Sequence, residues 1–400
     1  YSNELVKIDR ELKPGSWVTV ERTDGKVEGY GYFNPHSLIA FRIFERTKFV
    51  SEEQTRAVFF RRLDDAWRLR VSVYQKKIQS GLMGAKSFRL CFGESDGLPG
   101  LVIDLFEGGT SGGSSGSAVI PSGVAVIQCH SAGADQFISW AQQWLEQRMG
   151  VSAGIIRNDL EVRKKENVAL EVLEWGTLPD RPFVLEGGVR FFVDLKAGQK
   201  TGYFYDHRDN RAAAAEFFAT HEGRVLDCFS YIGSWGLQVL KANPKANLVA
   251  VDVSAQALKR LKENAEENGM ASRVQVREMD VFKSTEGFGE KFDLVISDPP
   301  SLTSSAKHER EGYRAHRLCF EKALAAMKPQ GHAVFASCSF HLTEENFLGC
   351  IAEAAASFSG SLQQLGFGAQ AADHPVLAAL PESRYLNSGL FRAMDGGKRS

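Results

Sequence analysis

The chain has 400 residues, 43% of them hydrophobic and 24% charged, which fits a globular protein long enough for two or three domains. Its formal net charge of −1 gives no overall attraction to nucleic acid, no apolar run approaches the ~18 to 20 residues of a membrane helix, and no basic start followed by an apolar run marks a secretory leader. The six cysteines (91, 129, 228, 319, 338 and 350) are scattered with no C-x-x-C pair, which argues against a zinc site or a disulfide scaffold and fits a reducing cytoplasm.

The first residue is Tyr1 rather than Met, so a true beginning upstream is expected. Residues 13–50 read as short strands, S-W-V-T-V-E-R, V-E-G-Y-G-Y-F and S-L-I-A-F-R-I-F, with T-D-G-K as a turn. Residues 51–80 read as a helix with Val58, Phe59, Leu63, Ala66, Trp67 and Leu69 on its apolar side. Arg61, Arg62, Arg68, Arg70, Lys76 and Lys77 decorate it, and either hold phosphates or solvate the helix. Residues 1–90 carry 17 Lys/Arg against 11 Asp/Glu, a balance of +6, and the remaining 31 against 38 give −7. This asymmetry points weakly to a polyanionic partner.

Residues 88–133 return to strands, interrupted by G-G-T-S-G-G-S-S-G-S, which reads as a flexible surface loop. An amphipathic helix over 134–149 follows. In I-I-R-N-D-L-E-V-R-K-K-E-N, Arg157, Arg163, Lys164 and Lys165 form the tightest basic cluster of the chain and are the expected RNA-binding residues. Residues 183–195 alternate about E-G-G as a hairpin. The polar and aromatic stretch K-A-G-Q-K-T-G-Y-F-Y-D-H-R-D-N-R leads into a helix from about 209 to 220.

From Gly223 onward strands and helices alternate regularly. Strands are expected at 225–228, 248–251, 274–276, 292–296 and 332–337, with helices at 235–242, 255–268, about 313–327 and 344–358, and closing strands near 362–368 and 389–394. That alternation predicts an α/β domain with a mostly parallel sheet. Ligands of such sheets sit at the carboxyl ends of the strands, where Asp227, Asp252, Asp280 and Asp298 all fall. Asp252, 25 positions after Asp227, is placed to accept hydrogen bonds from ribose hydroxyls; Ser254 beside it is equally a helix cap. The loop F-S-Y-I-G-S-W-G lacks the G-x-G-x-x-G that serves a pyrophosphate. With Phe229, Tyr231 and Gly233 it suits a cofactor without phosphates. S-adenosylmethionine fits, its ammonium and sulfonium charges matching the acids.

S-D-P-P-S-L holds Asp298 on a stiff exit from its strand. F-A-S-C-S-F-H-L puts Cys338 at the carboxyl end of the next one. A thiolate there is placed to add to C6 of a pyrimidine and make C5 nucleophilic toward a methyl donor. A protonated Asp298 is a candidate donor to cytosine N3. The competing reading of Cys338 is a small buried side chain, and Cys228 is a rival that more simply packs under its loop.

Together, G-E-S-D-G-L-P-G (93–100), V-R-K-K-E (162–166), K-T-G-Y-F-Y-D-H-R-D-N-R (200–211), L-D-C-F-S-Y-I-G (226–233), S-D-P-P (297–300), S-C-S (337–339) and A-A-D-H-P-V (371–376) give the chain a resemblance. It resembles the class I S-adenosylmethionine-dependent RNA methyltransferases with an N-terminal PUA domain, and among them the bacterial 23S rRNA cytosine-C5 methyltransferases. The resemblance implies a partial PUA-like domain at 1–50, an α+β central domain at 51–183, and a Rossmann-like methyltransferase domain at 184–400 with a seven-stranded, mostly parallel sheet. It implies Cys338 as nucleophile with Asp298 beside it, and Asp227, Phe229, Tyr231, Gly233, Asp252, Asp280 and Asp298 on the cofactor side. Phe204, Asp206 and Arg208 would cover the cofactor. RNA, foremost 23S rRNA, is the expected partner in the cytoplasm, with a homodimer left open and no metal or membrane implied. Two positions depart from the family pattern: Leu302 stands where an aromatic is usual, and Phe340 where Gly is usual, so Phe340 is a candidate to stack on the base instead. The alternatives are a methyltransferase of an exocyclic amine or guanine N7 with an inert Cys338, and a non-catalytic RNA-binding protein.

Overall fold

The computed structural model describes residues 2–6, 11–47, 51–108, 123–284, 287–302, 308–358 and 361–394. Apart from Gly108, the Gly/Ser tract lies outside the described residues. The chain divides into two compact units, one of residues 1–184, 193–205 and 372–379, the other of 185–192, 206–371 and 380–400.

In the first unit, β1 (Ser16–Glu21), β2 (Val27–Phe33) and β3 (Phe41–Glu45) form a three-stranded antiparallel sheet. Helix α1 (Glu52–Gln79) follows, capped by the Ser51 side chain accepting from Gln54 N–H. Acids in its first turn and Lys76 and Lys77 in its last complement the helix dipole. It buries Phe59, Leu63, Ala66, Arg70 and Tyr74, whereas Leu69, expected inside, is exposed. Arg70, expected on the charged surface, is buried because it forms two bonds with Asp96, at 2.6 and 2.7 Å. Arg62 likewise turns inward, to Phe44 O, Gly97 O and Glu45.

The five-stranded sheet of this unit has the order β4 (Phe88–Phe92), β5 (Leu101–Phe106), β6 (Val124–Cys129), β7 (Gly154–Arg157), β8 (Val172–Trp175). Between its strands run α2 (Ile138–Met149) and the short α3 (Glu161–Lys165). β5 and β6 are buried at every position, as a strand covered on both faces must be. Glu166, just past α3, is bonded by Asn34 Nδ2 at 2.7 Å and Ser37 Oγ at 2.5 Å, which ties the small sheet to the larger one.

β9 (Phe183–Glu186) and β10 (Val189–Phe192) form a hairpin whose residues 185–192 belong to the second unit, and the chain re-enters that unit at Asp206 after residues 193–205 of the first. The elements that follow are α4 (Arg208–Phe218), β11 (Arg224–Cys228), α5 (Gly236–Ala242), β12 (Asn247–Asp252), α6 (Ala255–Glu267), β13 (Val274–Glu278), β14 (Phe292–Ser297), α7 (Glu309–Ala326), β15 (Met327–Ser337), α8 (Glu344–Ala355), β16 (Ser361–Gly368) and β17 (Asn387–Met394). The seven-stranded sheet has the order β13-β12-β11-β14-β15-β17-β16. Its first five strands are parallel, and β17 runs antiparallel to β15 and β16. The expected mostly parallel sheet is therefore present, with β11 central. Helix α7 begins four residues before the expected start because its first turn, E-R-E-G, carries no apolar periodicity.

Candidate active site

The parallel register aligns the strand ends. Cys228, the last residue of β11, pairs with Val251 on one side and Ser297 on the other. Asp252 and Asp298 are the next residues along, so they flank the start of the loop after β11 at one level. The loop itself is held out of ordinary conformations. Phe229 has φ +61° and Tyr231 φ +48°, a region that non-glycine residues rarely adopt and that clusters at functional sites. Its fixings are Ser230 N–H to Val251 O (3.0 Å), Tyr231 N–H to Asp252 Oδ2 (2.9 Å) and Gly233 N–H to Ser230 O (2.8 Å). Gly233 sits at φ +89°, where a Cβ would lie 2.8 Å from Leu261 Cγ. No larger residue fits that turn without displacing α6.

Asp227 is fully buried one residue before the end of β11. Its Oδ2 accepts from Gly236 N–H at 3.0 Å, and its Oδ1 has no hydrogen-bond partner among the described residues. Gly236 must be small here, since a Cβ would meet Leu248 Cδ2 at 2.6 Å. Burial, against the Gly236 bond and together with the charges of Asp298 and Asp252, pushes the Asp227 carboxyl up to about 8. Asp252 also accepts at Oδ1 from Ser254 N–H (2.9 Å), and Ser254 Oγ caps α6 by accepting from Ala257 N–H (3.2 Å). Ser254 therefore serves the helix. Asp280 accepts from Phe282 N–H at 2.9 Å and pairs with Lys283 at 3.1 Å, which lowers its pKa.

Asp298 takes two partners that the sequence did not single out. Trp235 Nε1–H donates to its Oδ2 at 2.9 Å, and His207 Nε2 stands 3.4 Å from its Oδ1. Both lie inside motifs quoted above, but nothing local says that they meet Asp298. Asn210 Nδ2 approaches His207 Nδ1 at 3.5 Å. Asp298 accepts a hydrogen bond at Oδ2 from Trp235, with the His207 ring close to its Oδ1.

Cys338 follows directly on β15 and is partly exposed, whereas the other five cysteines are buried. Burial pushes Cys319 and Cys350 up to about 12 and Cys91, Cys129 and Cys228 well above the ordinary thiol range. Those five are locked as thiols, which removes Cys228 as a rival. Ser339, next to Cys338, accepts from Leu302 N–H at 3.2 Å and lies 3.3 Å from Ser301 Oγ, which joins the loops after β14 and β15. Leu302 packs on the core and Phe340 is 46% exposed.

Three residues expected to cover the cofactor have these surroundings. Arg208 is buried with its Nε 3.3 Å from Glu186 Oε2, so its charge is neutralised by that carboxylate. Asp206 accepts from Tyr385 O–H at 2.7 Å. Phe204 belongs to the first unit, where Lys200 Nζ stands 4.4 Å from its ring centroid. The basic cluster also divides. Arg163 is buried against Asp135 (2.7 Å) and Cys129 O, and Arg157 against Asp159 (3.0 Å) and Leu195 O. Of the four residues, only Lys164 and Lys165 are exposed, so the expected open cluster is half as large.

The ligand that suits these strand ends is cationic and carries a ribose. A buried carboxylate with one oxygen unpartnered, two further carboxylates at the same level, and no phosphate cradle fit the ammonium, sulfonium and ribose of S-adenosylmethionine. Among the described residues, no helix is long and apolar enough to cross a membrane.

Comparison with known proteins agrees with this arrangement. The family described as "Methyltransferase small domain" matches residues 209–352, and "PUA-like domain" matches residues 1–46. The chain is 34% identical to "Ribosomal RNA large subunit methyltransferase I" of Aeromonas hydrophila over 98% of this chain and 94% of that one. It is 31% identical to the protein of the same name from Klebsiella pneumoniae, again over 98% and 94%. Among solved structures, SMU.776 in complex with SAH shares the fold with a TM-score of 0.74 at 18% identity, over 96% of this chain and 92% of that one. A candidate SAM-dependent methyltransferase from Streptococcus mutans gives 0.73 at 17%, over 96% and 93%.

Proposed function

The chain belongs to the family of ribosomal RNA large subunit methyltransferase I, and from that premise we propose that it methylates C5 of a cytosine in 23S rRNA through a covalent adduct at Cys338. It is an S-adenosylmethionine-dependent rRNA methyltransferase with a PUA-like domain ahead of its Rossmann-like domain. The observation that carries the finer reading is Cys338 itself: the one cysteine of six outside the core stands at the carboxyl edge of the sheet, on a turn tied to the loop of Asp298.

The loop at 229–233 with Asp227 and Asp252 would hold the cofactor, Asp252 toward the ribose and Asp227 toward positive charge. When bound, S-adenosylmethionine supplies an electrophilic methyl group. Cys338 Sγ adds to C6 of the cytosine, and the C5–C6 π electrons become available at C5. Asp298, whose Oδ2 accepts from Trp235, hydrogen-bonds the cytosine ring, at N3 when it carries a proton, and fixes it. After methylation a base removes the C5 proton, the C5–C6 double bond re-forms and the Cys338 thiolate departs. Phe340 offers an exposed ring for stacking on the base.

Within this reading, residues 1–50 and 51–183 present the RNA, with Lys164 and Lys165 contacting phosphates, and residues 184–400 perform the chemistry. A ribosomal substrate supports a cytoplasmic setting for the enzyme. Digestion of 23S rRNA after incubation with labelled S-adenosylmethionine tests the product. The label is expected in 5-methylcytidine, and label in a methylated amine or in 7-methylguanosine would refute the assignment.

A further inference from the structure

His316 is fully buried on α7, outside every motif discussed above, and its hydrogen bonds have a direction. Its Nδ1 lies 2.8 Å from Gly312 O. A carbonyl only accepts, so Nδ1 carries the proton. Burial holds this imidazole below its ordinary range, against the Gly312 bond and the Asp298 charge, so the ring is neutral and Nε2 is an acceptor. Ser337 Oγ lies 3.0 Å from Nε2 and therefore donates to it. That fixes the Ser337 hydroxyl with a lone pair free to receive Ser339 N–H, which it does at 3.2 Å. Ser339 Oγ in turn accepts from Leu302 N–H at 3.2 Å and lies 3.3 Å from Ser301 Oγ. The bonded residues bracket Cys338 on both sides and end on the loop that carries Asp298.

We infer that His316 is a positioning residue: through Ser337 and Ser339 it sets the turn that presents Cys338 and locks that turn to the Asp298 loop. The inference rests on Cys338 being the nucleophile. The buried stretch from Gly312 O through His316 and Ser337 to Ser339 N–H has one direction, and reversing it leaves a buried group unpaired, so it specifies one geometry.

The test uses the full-length protein and the variants His316→Phe, His316→Gln and Ser337→Ala, with Cys338→Ala as reference. Hydrogen exchange is read at the Ser339 amide and, as control, at Ala333–Phe335. Protection of Ser339 is expected to fall by about tenfold or more in His316→Phe and Ser337→Ala while the strand amides hold. In His316→Phe, kcat for methyl transfer is expected to fall about tenfold to a hundredfold with KM for RNA little changed, as for a misplaced reacting group. His316→Gln, whose side-chain oxygen still accepts from Ser337, is expected to recover part of that loss. Unchanged Ser339 protection in both variants overturns the relay, as does a loss of protection that leaves kcat intact while Cys338→Ala is inactive. Full activity of Cys338→Ala removes the nucleophile, and with it the purpose of the relay, whatever Ser339 does. Ser337→Ala, which deletes a single oxygen, keeps the inference testable if His316→Phe does not fold.

Discussion

Asp227 is where the site's electrostatics concentrate. Its carboxyl, raised to about 8 mainly by burial, binds a proton in the folded state that it would release when unfolded above pH ~4. The sign follows: its contribution to the ligand-free protein is fully present below pH ~4 and is lost as pH rises through about 8. Asp227→Asn should flatten the pH dependence of stability across that window. A cationic ligand reverses the preference by favouring the carboxylate. Affinity for S-adenosylmethionine should therefore rise with pH up to about 8, by at most about tenfold per unit, and Asp227→Asn should abolish the slope. Calorimetric titration at several pH values checks this, and an equal slope in both proteins would contradict the assigned role.

At the scale of elements, the site is made by strand ends and the loops after them, and their legibility in the sequence differed. The apolar runs of β11, β12 and β14 each lead to an aspartate at or beside the strand end, so Asp227, Asp252 and Asp298 stand out from the pattern of residues alone. Their partners do not. His207 and Trp235 reach Asp298 only through the fold, and His316 sits in α7 as a lone histidine with no local signal. The basic cluster was misread for a related reason: spacing along a five-residue helix does not tell which side chains turn inward, and α3 turns Arg163 in. The two loop departures belong to this scale too. Leu302 is occupied with core packing, while Phe340, on the turn after Cys338, is exposed. Phe340→Gly should lower kcat for methyl transfer by about tenfold, within the range of base stacking on an aromatic. Steady-state kinetics on an rRNA fragment measure it, and an unchanged rate would leave Phe340 without a role.

For the whole molecule, the α/β alternation from Gly223 onward made the seven-stranded sheet readable, because parallel strands buried on both faces are near-continuous apolar runs. The first unit was less legible. Its charge excess of +6 over residues 1–90 pointed only weakly to a polyanionic partner, and Arg62 and Arg70 are occupied inside. RNA affinity should depend on charges that stay outside. Lys164→Glu with Lys165→Glu should weaken rRNA binding and lower its salt slope by about 0.7 to 0.9 per lost phosphate contact, leaving S-adenosylmethionine affinity unchanged. Filter binding at several salt concentrations reads this, and an unaltered slope would remove these lysines from the interface.

The central claim is that Cys338 forms a bond to the base during methyl transfer. The most direct measurement is incubation of the protein with S-adenosylmethionine and rRNA carrying 5-fluorocytidine, in which fluorine replaces the proton that must leave C5. The account predicts a denaturation-resistant protein–RNA adduct, mapped by mass spectrometry to Cys338 and absent from Cys338→Ala, which is also inactive on normal rRNA. Methylation that survives Cys338→Ala, with no adduct in either protein, would contradict it.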